Sequence, residues 1–258
     1  MGCVPVRVGA AVVVGVLAVG AGAAGPGQGG TAMPASCELP KGKERVRLDP
    51  ASFTTRIDNP WWPMRPGSRW VYRETAPDGT VQRVVVRVLS KTKRIANGVT
   101  ARVVRDVVTE GGKPVEITDD WYAQDDCGHV WYLGEATSEY ENGKRVSTQG
   151  SFEAGVDGAQ AGVIMPARPK AGMRYRQEYY AGEAEDRAEI VSLREQVEVP
   201  LGYFRPGRVL MTRDLNPLDP KVLEYKFYGR GIGLVLAISV SGGDDREELV
   251  RYTSGRQR

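Results

Sequence analysis

"NGVTARVVRDVVT" (97–109), the break Glu110-Gly111-Gly112-Lys113, and then "PVEITDDWYAQ" (114–124) decide how this chain folds. β-Branched residues dominate the first run, the second adds Trp121 and Tyr122 to Val115, Ile117 and Thr118, and polar and apolar side chains alternate with a period near two. That spacing sends successive side chains to opposite faces of a strand. Two glycines between the runs supply a turn, so the pair reads as an antiparallel hairpin. Toward the N terminus, "SRWVYRE" (68–74) passes through Pro77-Asp78-Gly79 into "TVQRVVVRVLS" (80–90). Toward the C terminus, Asp125-Asp126-Cys127-Gly128 turns into "HVWYLGEATSEY" (129–140), and Asn142-Gly143 turns that run into "RVSTQGSFEA" (145–154). Further strand patterns fall at 173–180, 186–199, 207–213, 222–230, 233–241 and 246–252. "GRGIG" (229–233) joins two of them and opens no helix, so it reads as a turn rather than a phosphate loop.

The expectation is an all-β chain. An antiparallel meander of about 10–12 strands would roll into a barrel or a strongly curved half-barrel, which limits exposed edges. One stretch breaks the rhythm: "GVDGAQAGVIMPARPKAG" (155–172) surrounds Val163-Ile164-Met165 with Gly, Pro and Ala, and reads as a long loop serving as lid or plug.

The first residues speak to compartment. Arg7 is followed by an apolar run from Val8 to about Ala24, with the small-residue pattern Ala21-Gly22-Ala23 at its end. Residues 1–24 therefore read as a cleavable signal peptide, rich in Gly and Ala and ended by Gly25-Pro26-Gly27, a poor membrane anchor. The expected layout is a signal peptide (1–24), a flexible, disordered lead (25–52), one β-rich domain (53–252) and a tail (253–258), in a secreted or cell-envelope protein. The formal net charge is +3, or +2 once Arg7 is removed, and both signs are interspersed. No face is built for nucleic acid. Cys3 leaves with the signal peptide, so Cys37 and Cys127 remain in a compartment that permits a disulfide between them. Lipid anchoring at Cys37 is the weaker alternative, because Pro34 stands where lipoprotein signals carry Leu.

The acid-rich stretch "YRQEYYAGEAEDRAEIV" (175–191) reads as a hairpin with 181–184 as its loop. That register puts Arg176 opposite Glu189, Glu178 opposite Arg187, and Tyr179 opposite Asp186, so most of the charge is self-neutralised. In "DWYAQDDCGHVWYLGE" (120–135), a loop at 125–128 puts Tyr122 opposite Trp131 and Trp121 opposite Tyr132. "IDNPWWPMRPGSRW" (57–70) sets Trp61 and Trp62 between prolines, as core cap or as cover of a hydrophobic opening.

Chemistry is constrained by what the chain lacks. Its single histidine, His129, has no G-x-S-x-G elbow to serve, and one histidine with two scattered cysteines does not make a zinc ligand set. No metal or cofactor is expected. Carboxylates remain: Glu153, Asp157, Glu178 and Asp186 would be the acidic site of a glycan-directed hydrolase if a cleft brought two together.

The phrases "IDNPWWPMRPGSRWVYRE", "IANGVTARVVRDVVTE", "DDWYAQDDCGHVWYLGE", "GSFEAGVDGAQAGVIMPARP", "YRQEYYAGEAED" and "LEYKFYGRGIGLVLAI" resemble a group of secreted β-rich bacterial proteins, mainly actinobacterial, with no assigned biochemical function. The resemblance runs from residue 53 to residue 250 and implies an exported β-rich domain. In that group the 125–128 turn reads Asp-x-Gly-Asn, so Cys127 and His129 are peculiar to this chain. Together these readings favour a non-catalytic module for an apolar or amphipathic ligand or a cell-envelope partner, with Trp61, Trp62, Trp131, Tyr132, Ile164 and Met165 as apolar lining or lid. A carboxylate hydrolase and a purely structural envelope protein are the alternatives.

Overall fold

The structure, a computed structural model, describes residues 37–255. The signal-peptide reading therefore lies outside the described residues. Sixteen strands form one antiparallel sheet: β1 (Phe53–Thr54), β2 (Arg69–Thr75), β3 (Val81–Arg94), β4 (Thr100–Glu110), β5 (Lys113–Asp125), β6 (Val130–Glu141), β7 (Lys144–Ser147) and β8 (Phe152–Glu153), then β9 (Gln160–Met165), β10 (Arg174–Arg176), β11 (Glu178–Tyr179), β12 (Arg187–Val199), β13 (Gly202–Leu215), β14 (Leu223–Gly229), β15 (Gly233–Ser241) and β16 (Arg246–Thr253). The all-β antiparallel barrel expected from the alternation is present, with more and shorter strands than the sequence pattern counted. The long hairpins β2–β3–β4–β5–β6 and β12–β13–β14–β15–β16 are meanders, and β16 pairs β2 to join the two runs.

Closure is the work of one short segment. β10 pairs β12, while β11, one residue further on, pairs β9 at the opposite end of the strand order. The chain 174–179 thus belongs to one edge with its first half and to the other edge with its second, which makes the barrel nearly closed. Edge strands with open hydrogen-bonding groups are a liability, and this crossing uses them up.

Three local expectations are corrected. The stretch 155–172 is no free loop, for β9 runs through it and its Val163, Ile164 and Met165 are buried in the sheet. The 175–191 hairpin pairs two residues out of the expected register: Arg174 faces Glu189, Tyr175 faces Ala188 and Arg176 faces Arg187. The pairing stops there because Gln177 turns the strand away toward β9. Arg176, only 1% exposed, instead donates to the carbonyl oxygens of Gly42, Glu44 and Ala161. In the 120–135 hairpin the turn closes between Asp125 and His129, one residue tighter than expected, so Tyr122 faces Tyr132 and their rings stack at 5.0 Å; a bulge at Trp121 lies beyond that pair.

The segment before the barrel is tied down from Cys37 onward. Cys37 is bonded to Cys127 in the β5–β6 turn, Arg176 N–H donates to the Pro40 carbonyl, and Val46 N–H donates to Gln160 Oε1. Residues 37–48, read as flexible lead, lie against β9 and β10 through these bonds. "GRGIG" is a turn as expected, with Gly229 opposite Gly233.

Candidate functional site

The pleat sorts the interior into two layers. On β5, Tyr122, Asp120 and Thr118 share a parity, as do Tyr228, Lys226 and Glu224 on β14, and Trp70, Tyr72 and Glu74 on β2. In each strand the aromatic comes at one end of the row and the acid further along. One end of the barrel is consequently aromatic and the other acidic.

The aromatic end is closed by "IDNPWWPM". Ile57 bridges Met64, Trp62 N–H donates to the Asn59 carbonyl, and Gly231 N–H donates to the Pro60 carbonyl. Asn59 fastens the segment: its side chain donates to the carbonyls of Gly128 and Pro166 and accepts from Trp61 N–H. Trp62 then lies between Tyr122 and Tyr228, with ring centroids 5.9 Å and 5.7 Å away. Its indole Nε1 is buried with no hydrogen-bond partner.

Below this plug lies a cavity of about 80 Å³, lined by Trp62, Met64, Trp70, Tyr122 and Tyr228 on one side and by Asp106, Asp120, Glu224, Lys226 and Glu247 on the other. On the scale where about 10–15 Å³ admits one water, that is room for several. The charge balance is lopsided. Lys226 is the single basic side chain in the lining, and its ammonium is held at 3.0 Å by both Asp214 and Glu224. Burial, with Asp120, Glu116 and Glu74 close by, pushes the Asp106 carboxyl well above its ordinary range. Burial also raises Asp120 to about 7, against a hydrogen bond from Tyr132 Oη that lowers it. Glu247 is raised by burial and by Glu74 and Asp106. These shifts have one origin: carboxylates taken out of water beside other carboxylates hold their protons.

The sequence-predicted residues fall unevenly around this cavity. Trp62 and Ile164 line it; Trp61, Trp131, Tyr132 and Met165 do not. Trp61 stacks under the Arg230 guanidinium, and Trp131 sits on the other face of β6, bonded to Asp125 and edge-on to Phe53. Tyr132 reaches the site indirectly, by stacking on Tyr122 and donating to Asp120. Of the four candidate acids, Glu178 and Asp186 are brought together in the interior; burial and the Asp186 charge raise Glu178, while burial, opposed by Lys226 and helped by Asp214 and Glu224, raises Asp186 to about 7. Glu153 is placed elsewhere, paired with Lys93 at 2.9 Å and with Ala96 N–H, and Asp157 sits exposed in a turn at φ 47°.

The interior acids Asp106, Asp120, Glu224 and Glu247 were not singled out from sequence. A usable signal existed: Asp106 shares its parity with Val104 and Val108, and Asp120 shares its parity with Tyr122. An acid in step with core residues faces inward.

One further cluster is structural. Asp125, Cys127 and His129 have ligand atoms within 4.8 Å of one another. All are committed, because Cys127 is disulfide-bonded, Asp125 accepts from His129 N–H and Trp131 Nε1, and His129 Nδ1 accepts from Ala167 N–H.

No family model matches this chain, and no curated protein matches it. Among solved structures it is similar to a Bacteroides fragilis protein described as exported and of YmcC-like fold (14% identity, TM-score 0.43, covering 75% of this chain and 99% of that one). A Parabacteroides distasonis protein described as a lipoprotein is similar at 14% identity and TM-score 0.40, covering 75% and 98%. A β-barrel-like domain of unknown function from Brucella abortus follows at 12% identity and TM-score 0.34, covering 73% and 98%. Among the described residues, no helix is long and apolar enough to cross a membrane.

Proposed function

We propose that this chain is an exported barrel whose interior holds a small amphipathic ligand and does no chemistry on it. The observation that carries the reading is the cavity itself: an aromatic wall and an acidic wall meet in one space under the Trp61–Trp62–Pro63 plug. Binding sites of this kind are largely apolar, with a few convergent polar groups that orient the ligand. Export is supported by the signal-like residues 1–24 and by the Cys37–Cys127 bond, which belongs to an oxidising compartment.

Carboxylate hydrolysis is less well supported. Glu178 and Asp186 are neighbours, but Glu178 is 2% exposed, and a glycan chain needs an open cleft beside its acid and base. Native mass spectrometry of the mature chain purified gently from its host tests the binding reading. A companion mass that is lost in Ala237→Phe, which fills the cavity wall, is the expected result. Bare chain in every preparation would sink it and leave the purely structural role.

A further inference from the structure

Resting on that reading, we propose that the ligand's polar end is a protonated amine seated at Asp106 and Glu247, with its apolar body against Trp62, Trp70 and Tyr228. Both walls of the cavity offer unspent hydrogen-bonding capacity. Among the described residues, Asp106 Oδ1 is buried without a partner on the acidic side, and Trp62 Nε1 is buried without a partner on the aromatic side, in a residue only 8% exposed. A buried polar atom left unpaired costs about 1–3 kcal/mol, so two of them lining one space mark where a ligand's donor and acceptor belong.

The sign of the donor follows from the surroundings. Asp106 on β4 is faced by Glu74 and Tyr72 from β2, by Glu116, Asp120 and Tyr122 from β5, and by Glu247 from β16. The basic group within reach, Lys226 of β14, is spent on Asp214 and Glu224. An ammonium brings three donors and a positive charge to Asp106 and Glu247, and aromatic faces accept a cation well. A divalent metal fits worse, because it asks for six or more oxygen ligands while most of the lining residues are aromatic or aliphatic.

Amine entry would also displace protons. Burial raises both Asp106 and Glu247, which favours their protonated forms. A bound ammonium favours the carboxylate, so uptake should release a proton at neutral pH.

Calorimetry on the mature chain at pH 7 tests this with ethylamine and propylamine, small enough for a cavity of about 80 Å³, against their neutral counterparts ethanol and 1-propanol. Each amine should bind at least about tenfold tighter than its counterpart. The measured heat should also depend on buffer ionisation enthalpy, as proton release requires. In Asp106→Asn the ratio of amine to neutral affinity should fall toward one. Equal affinity for amines and neutral compounds would overturn the amine and keep the cavity reading. A companion mass with no amine binding, or binding of Ca²⁺ or Mg²⁺ in place of amines, would overturn it too. No binding and no companion mass would remove both. Should the variant fail to fold, the wild-type comparison still decides.

Discussion

Asp119 and Asp120 are chemically identical neighbours with opposite fates. Asp119 points outward and receives a two-pronged bond from Arg105, both arms 2.7 Å; Asp120 points inward among tyrosines and acids. Only the pleat separates them, and the Asp-Asp pair itself carries no mark of which is which; the parity of Asp120 with Tyr122 does. Glycine tells a similar story at position 162. A methyl group there would meet the Gln177 carbonyl carbon and oxygen at 2.3 Å and the Arg176 oxygen at 2.7 Å, all backbone. Gly162 is thus the place where β9 lets the crossing segment 174–179 come close. Gly162→Ala should cost about 2–3 kcal/mol, because neither backbone can give way cheaply. Urea unfolding would show it as a lowered midpoint with unchanged slope, and an unmoved midpoint would mean that the crossing is looser than described.

At the scale of elements, strands with continuous partners were legible and interrupted ones were not. The β15 reading at 233–241 coincides with the strand, and those for β2, β4, β5 and β16 agree within a few residues, since alternation and turn glycines are local signals. β9 was hidden among Gly, Pro and Ala, and β10–β11 was read as one strand of a hairpin. β9 pairs β6 across the intervening β7 and β8, and β10–β11 divides its pairing between β12 and β9. The lead is another long-range element. The Cys37–Cys127 bond spans 90 positions and holds 37–48 where Arg176 can reach its carbonyls. Cross-linking a loop of that size stabilises by up to about 4–5 kcal/mol in the chain-entropy account. Reduction should therefore lower the denaturation midpoint and expose Lys41, Lys43, Arg45 and Arg47 to trypsin. If reduced protein unfolds at the same midpoint and resists cleavage there, the carbonyl cradle of Arg176 alone holds the lead.

For the whole molecule, the dominant electrostatic fact is an acid-lined interior. Asp120 and Asp186 rise from 3.8 to about 7, and burial raises Asp106, Glu135, Glu178 and Glu247 as well. Such groups bind more protons folded than unfolded, so their contribution is complete below the unfolded value near 4 and is lost as pH climbs toward 7 and beyond. The paired surface acids Glu189 and Glu248 act in the opposite sense, but their window lies below 4.5. The thermal midpoint should accordingly be higher at pH 5 than at pH 8, by at least about 3 °C; a midpoint that rises with pH would show the interior acids to be ionised and paired. By itself the sequence determined the compartment signals, the all-β class and the positions of most long strands, because periodicity and turn chemistry are written in neighbouring residues. Only the tertiary structure decided the closing crossing at Gln177, the two-residue shift that separates Arg176 from Glu189, and the gathering of acids from four strands around one cavity. Those depend on which distant backbones meet, and a strand's own pattern cannot name its partner.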